Sequence, residues 1–322
     1  MNHVFRRSRL TALGLVAGVA IIASAAAATS LAGGQKLKGR ITADGSSTVG
    51  PYTSAAAELF QKKENGVQIT VGISGTGGGF QRFCNDETDL SDASRPMKLS
   101  EAQKCAAKGV KWVAFTIAND GISIVVNKDN NWVKSSCMSP EQLKRIWQPG
   151  SKIDNWKDID SSYPDQKLKL FGPGTDSGTF DFFTAAINGK EKASRSDYTP
   201  SENDEVLVRG VSGEKGGLGY FGYSYYVANK DKLRLIAINS GSGCIAPNIK
   251  TIQAYKYKPL SRPLFIYAKL GSFQRSEVQA FIKYMLDNER EIAKRAQFVS
   301  LTDKQLRKFR YQYTQAVKKA KL

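Results

Sequence analysis

The stretch LKLFGPGTDSGTFDFFTAAING, residues 168–189, reads as a buried strand, a short polar turn and a helix. LKLFGP is the kind of apolar run that a covered strand carries. Thr175 or Asp176 is expected to cap the following helix, and Gly189 to stop it. The tetrapeptide Asp176-Ser177-Gly178-Thr179 is also what an aspartic protease places around a catalytic carboxylate. That chemistry needs two carboxylates sharing a proton. The tetrapeptide occurs once, and Phe180, Phe182 and Phe183 belong to an amphipathic helix, not an all-β barrel. The stretch is an α/β junction.

The same alternation runs outward in both directions. RITAD (40–44) is a strand, and Pro51 opens the helix YTSAAAELFQKK. VQITVGIS (67–74) is a strand followed by the loop GTGGG and a short helix around FQRFC. DLSDASRP (89–96) is a short strand ended by proline, and LSEAQKCAAKG a helix stopped by Gly109. Between 112 and 127 two apolar runs, WVAFTIA and GISIVVN, are separated by Asn119, Asp120 and Gly121. Ser139-Pro140-Glu141-Gln142 is a capping box. ENDEVLVRGVSG is helical, GLGYFGYSYYVA mixes strand and turn, and LRLIAIN and LSRPLFIYA are strands. From Ser276 the chain is helical almost to its end. Strands alternating with helices predict an α/β fold of mainly parallel sheets flanked by helices. The chain leaves a first lobe near 116–121 and returns near 240–262. The expected lobes are 38–118 with 255–322, and 119–254, joined by a two-crossing hinge around a cleft.

Residues 1–32 have the order of a signal peptide: the basic MNHVFRRSR, an apolar run, then an alanine-rich exit. An uncleaved anchor is the alternative, since about 20 apolar residues can span a bilayer. Sec-type export to the periplasm of a Gram-negative cell is the expectation. The net charge is +18, of which Arg6, Arg7 and Arg9 contribute three, leaving +15 after cleavage. Such a balance favours anionic partners. Much of it lies in KQLRKFRYQYTQAVKKAKL, which reads first as a solvated helix face; nucleic-acid or lipid head-group contact comes second. Cys84, Cys105, Cys137 and Cys244 suit two disulfides in an exported chain. Proximity suggests Cys84–Cys105 and leaves Cys137–Cys244, although three connectivities exist. There is no CxxC pair, and the one histidine, His3, falls inside the expected signal. Ser-His-Asp and Cys-His catalysis and imidazole metal sites are thereby excluded from the mature chain. No cofactor or metal is expected.

Three junctions share one design, a strand, a short polar or glycine-rich loop, and a helix start. They are Asp44-Gly45-Ser46-Ser47-Thr48, Ser74-Gly75-Thr76-Gly77-Gly78-Gly79, and Thr175-Asp176-Ser177-Gly178-Thr179. Helix starts present backbone N–H groups to anions, glycines permit close approach and hydroxyls add directed donors. One such loop is ordinarily just a cap; three in one chain suit a tetrahedral oxyanion. Neither GxxxxGK[ST] nor GxGxxG is present, so the usual nucleotide loops are excluded.

In order and spacing, DGSSTVGP, SGTGGGF, DLSDASRP, FGPGTDSGTFDFF, GLGYFGYSYY and RPLFIYA resemble the phosphate-binding proteins of bacterial phosphate ABC transporters. The resemblance covers nearly the whole chain after the signal. It implies the two-lobed type II periplasmic binding protein fold, inorganic phosphate as ligand and membrane ABC permease subunits as partners. A monomer without nucleic-acid partners or enzymatic activity is expected. Ser46, Ser47 and Thr48 match the first ligand loop, Thr76 and Gly77 the second, and Ser177, Gly178 and Thr179 the third. The best-known branch has an arginine ahead of the third loop, where this chain reads Gly172-Pro173-Gly174, and an aspartate where it has Ser94. A related branch shares the DASRP and FGPGTDSGT wording, which points to Arg95 as the cationic clamp. Asp44, Asp92 and Asp176 are candidate acceptors for the proton that distinguishes phosphate from sulfate. The alternatives are another oxyanion, such as sulfate, molybdate or an organophosphate, and a non-histidine phosphatase.

Overall fold

The structure, a computed structural model, describes residues 36–320 apart from Glu202 and Ser242. The expected signal peptide lies outside the described residues. The chain opens with β1 (Lys38–Gly45), α1 (Gly50–Lys63), β2 (Gly66–Ile73), α2 (Gly75–Cys84), β3 (Leu90–Ala93) and α3 (Leu99–Ala107). β1 lies between β2 and β3 and is parallel to both. β4 (Trp112–Asn127) then crosses to the second half.

There β5 (Cys137–Met138), α4 (Pro140–Trp147), α5 (Trp156–Ile159), β6 (Lys169–Pro173) and α6 (Gly178–Phe183) come first. β7 (Thr199–Ser201), α7 (Asp204–Gly213), β8 (Gly217–Gly222) and α8 (Tyr223–Ala228) follow, then β9 (Leu233–Asn239), β10 (Cys244–Ile245) and α9 (Ile249–Gln253). The chain returns through β11 (Ser261–Lys269) and ends in α10 (Ser276–Asp287), α11 (Glu289–Arg295) and α12 (Asp303–Ala320). The strand order is β2-β1-β3-β11-β4-β8-β6-β7, with β9 beside β4, β5 and β10. Pairing is parallel within β1–β2–β3 and β7–β6–β8, and antiparallel where β4 and β11 run through.

Apolar burial divides this curled sheet into two lobes. One core gathers Ile41, Tyr52, Phe60, Phe115, Leu264, Phe281 and Phe309; another gathers Ile122, Trp147, Trp156, Phe183, Tyr220 and Ile236. Two disulfides, Cys84–Cys105 and Cys137–Cys244, join α2 to α3 and β5 to β10. The longer loop, 107 residues, removes more unfolded-chain entropy, about 4–5 kcal/mol in the loop-closure model.

Four local expectations change. Asn119, Asp120 and Gly121 do not interrupt the strand; β4 is continuous through them. Tertiary partners satisfy their side chains: Asn119 donates to the Ser300 carbonyl at 3.0 Å, and Asp120 pairs with Arg262 opposite it in the β11 register. GTGGG is not a loop but the first turn of α2, despite glycine's poor helix propensity. Any Cβ on Gly79 would lie 2.5 Å from the Gly45 Cα, so close packing of helix on strand requires glycine there. The cap of α6 is Ser177, whose Oγ accepts from the Thr179 N–H at 3.2 Å, rather than Thr175 or Asp176. YSYYVA forms the short helix α8.

Glu289 at the start of α11 is buried, accepts from the Leu301 N–H at 2.7 Å and leaves Oε2 unpartnered. Burial pushes its pKa up from 4.5 to about 7. A carboxyl that holds its proton more tightly when folded loses stability as pH climbs between those two values. Glu289→Gln stays neutral, so its melting temperature is expected to match wild type at pH 4.5 and to exceed it by several degrees above pH 7. Equal melting curves at both pH values would contradict a buried, penalised carboxylate.

Candidate functional site

The three sequence-predicted loops converge where β4 and β11 cross. Ser47, Thr48, Asp176, Ser177, Gly178 and Thr179 line one cavity of about 460 Å³, together with Asp120. Thr76, Gly77 and Arg95 line a second, of about 480 Å³, with Ser94, Asp181, Phe182 and Arg262. Ser46 is buried beneath its loop, where its Oγ accepts from the Thr48 N–H at 3.2 Å and its N–H donates to the Asp92 carbonyl at 2.9 Å. Ser46 and Ser177 thus accept backbone N–H groups within their own turns, and Ser47, Thr48, Ser177 and Thr179 line the first cavity.

Arg262, on β11, joins the two cavities. It lines the second, while its partner Asp120 lines the first. Its Nε donates to Asp120 Oδ2 at 3.2 Å, its Nη2 to Thr48 Oγ1 at 2.9 Å and to the Gly178 carbonyl at 3.5 Å, and its Nη1 to the Ser94 carbonyl at 3.3 Å. The guanidinium also lies 3.7 Å from the centroid of the Phe182 ring. One planar fork thus touches both lobes and both crossing strands, a geometry that suits arginine and not lysine. Burial lowers the Arg262 pKa, opposed by Asp120; burial raises that of Asp120, opposed by Arg262. Direct pairing compensates two charges that would each be costly alone.

Arg95 sits at the rim of the second cavity, in a bidentate pair with Glu101 at 2.8 Å for both bonds. That pairing holds its pKa above the ordinary value. Thr76 Oγ1 lies 3.1 Å from Ser94 Oγ and accepts from the Ser94 N–H at 3.2 Å, so these two hydroxyls form one unit. Gly178 lies so close to the first loop that a Cβ there would overlap the Thr48 nitrogen and hydroxyl.

The candidate acceptor carboxylates are dispersed. Asp44 is buried and bonded by Ser74 and by Arg82 at 2.6 Å. Asp92 lies behind the first loop, where its Oδ1 accepts from Thr53 Oγ1 at 2.8 Å; burial pushes its pKa up to about 7. Asp176 is exposed at the edge of the first cavity. A carboxylate not anticipated, Asp181 on α6, lines the second cavity with a side chain only 12% exposed. Its Oδ2 accepts from Ser47 Oγ at 3.3 Å, its Oδ1 is buried without a hydrogen-bond partner, and Lys192 Nζ lies 4.0 Å away. Burial raises its pKa, against the opposing pull of Lys192.

Sequence reasoning missed Arg262, Ser94, Asp120 and Asp181 as site residues. One signal pointed to Arg262: the tripeptide Ser-Arg-Pro occurs twice, at 94–96 and 261–263, once in each element that meets the site. Among the described residues no His, Cys, Asp and Glu cluster is arranged to hold a metal ion.

A PBP superfamily domain matches residues 25–289. Protein SphX of Synechococcus elongatus is 42% identical over 267 residues, 82% of this chain and 78% of that protein. The phosphate-binding protein PstS of Staphylococcus epidermidis is 42% identical over 271 residues, 83% of this chain and 80% of its own. The crystal structure of a "possible phosphate binding protein" from Planctomyces limnophilus superposes with a TM-score of 0.83 at 42% identity, over 87% of this chain and 99% of that one. The chain belongs to the PBP superfamily and, within it, to the family of the phosphate-binding proteins called PstS.

Proposed function

We propose that the protein captures inorganic phosphate between its lobes, 38–118 with 255–322 and 119–254, and delivers it to membrane ABC permease subunits. It works outside the cytoplasm, in the periplasm, as a monomeric carrier and not as an enzyme. The observation that carries this reading is the convergence of Thr48, Ser94, Gly178 and Asp120 on the Arg262 fork. The name of the PstS relative supports phosphate as the ligand.

Phosphate sits at the Arg262 guanidinium, with the hydroxyls of Ser47, Thr48, Thr76, Ser94 and Thr179 as further donors and Arg95 as a second cation at the rim. Both cations already have carboxylate partners, Asp120 and Glu101. The site therefore has little net positive field, and affinity comes from directed donors in a cleft that excludes water. Calorimetry of the purified protein with inorganic phosphate is expected to give tight 1:1 binding. No heat and no displacement of other oxyanions at millimolar phosphate would refute the reading.

Asp181 supplies the selectivity. Phosphate near neutral pH keeps a proton that sulfate lacks, and a buried carboxylate accepts the former and repels the latter. Asp181→Asn is expected to weaken phosphate roughly 10- to 100-fold, the scale of one charged hydrogen bond, and to let sulfate compete. Unchanged discrimination in that variant would move the acceptor role to Asp44, Asp92 or Asp176.

A further inference from the structure

We propose that the solvent face of α12 is a docking surface for the anionic face of a lipid bilayer. Six cations, Lys304, Arg307, Lys308, Arg310, Lys318 and Lys319, are all exposed on this helix. At about 100° per residue, all but Arg310 fall within an arc of about 120° that also contains Tyr311. Tyr311 is 66% exposed, at the centre of the cationic stripe. The opposite face is committed to the fold: Phe309 packs on Phe115 with centroids 4.9 Å apart, Tyr313 on Phe273 at 6.1 Å, and Gln312 donates to the Ala114 carbonyl.

Among the described residues none of the six cations forms a salt bridge. On the preceding helices, by contrast, Lys283 pairs with Asp287, Arg295 with Glu291, and Arg290 reaches Asp303. The unpaired cluster opposes helix stability. Lys304 and Lys308 repel at i,i+4 and Lys304 and Arg307 at i,i+3, and all three stand near the positive end of the helix dipole. Folding gains nothing from this arrangement, so its use is external. The stripe is straight, about 22 Å long at 1.5 Å per residue, and convex. That shape meets a plane of diffuse negative charge, and a tyrosine among cations suits the head-group level, where aromatic rings with a polar tip collect.

The test is co-sedimentation of the mature protein, as the cell produces it, with phosphatidylcholine vesicles and with vesicles containing about one-third phosphatidylglycerol. Partitioning onto the anionic vesicles alone is expected, and its loss at high salt. Lys304→Glu, Arg307→Glu and Lys308→Glu combined should reduce it on the order of a hundredfold, at about fivefold per removed cation. The same reversal at Lys104 of α3 and at Lys108 just after it should change it little. Phosphate calorimetry, which reads the cleft, reports whether each variant is folded. Equal binding to neutral vesicles, wild-type binding by the triple variant, or tighter binding to duplex DNA than to anionic vesicles at equal ionic strength would overturn the proposal.

Discussion

Arg262→Met is expected to weaken phosphate binding by roughly 30- to 4,000-fold. The variant removes the guanidinium that reaches Thr48, Ser94, Asp120 and Gly178, and keeps most of the buried aliphatic volume over Phe182. Truncating one member of a buried, hydrogen-bonded charge pair costs about 2–5 kcal/mol, which sets that range at about 1.4 kcal/mol per tenfold. Some of the loss is the charge left on Asp120, a group only 6% exposed in its side chain. The double variant Arg262→Met with Asp120→Asn separates the two contributions. Its thermal stability should recover toward wild type while phosphate binding stays lost. Wild-type affinity in either variant, measured by calorimetry, would remove Arg262 from the site. A parallel titration of Arg95→Ala compares the rim cation with the buried one; the Glu101 pairing of Arg95 predicts the smaller loss.

Gly178→Ala is expected to weaken binding roughly 10- to 100-fold with an unchanged melting temperature. The added methyl would occupy the space of the Thr48 backbone nitrogen and hydroxyl, which belong to the opposite lobe. Overpacking of this kind costs about 1–3 kcal/mol, and here it falls on the approach of two lobes, not on the core of either. Moving the Thr48 loop away from Gly178 relieves the clash, so the expectation is that folding is spared while closure is opposed. Small-angle scattering in saturating phosphate should show a larger radius of gyration for the variant than for wild type. Identical scattering and identical affinity would mean that the Thr48–Gly178 approach is not involved in closure.

Much of this architecture was legible because it rests on local rules. The Ser139–Gln142 capping box forms as its spacing requires, with Pro140 at the helix start. Gly189 ends the helical run that begins at Gly178 in a left-handed conformation, φ 83°. The strand–loop–helix alternation yields the α/β fold, and the nearer cysteine pair forms as proximity suggested. Where local rules failed, a distant partner had changed the outcome. Gly75, Gly77, Gly78 and Gly79 make a poor helix by propensity, yet α2 starts there, and Gly79 passes against Gly45 where no side chain would fit. Asn119-Asp120-Gly121 reads as a break, yet β4 continues because the Ser300 carbonyl accepts from Asn119, Arg262 donates to Asp120 and Ile252 fills the space beside Gly121.

The sequence by itself determined the fold class, the family and the three loops, since each is written in contiguous residues whose spacing carries the signal. Tertiary structure decided which charge stands at the centre. Arg95 lies within a recognisable motif, six residues from the glutamate that holds it. Arg262 lies 214 residues from Thr48, 168 from Ser94 and 84 from Gly178, and only the crossing of β4 and β11 brings them within hydrogen-bond reach. A guanidinium's role is set by what surrounds it, and no spacing along the chain encodes surroundings assembled from four separate elements.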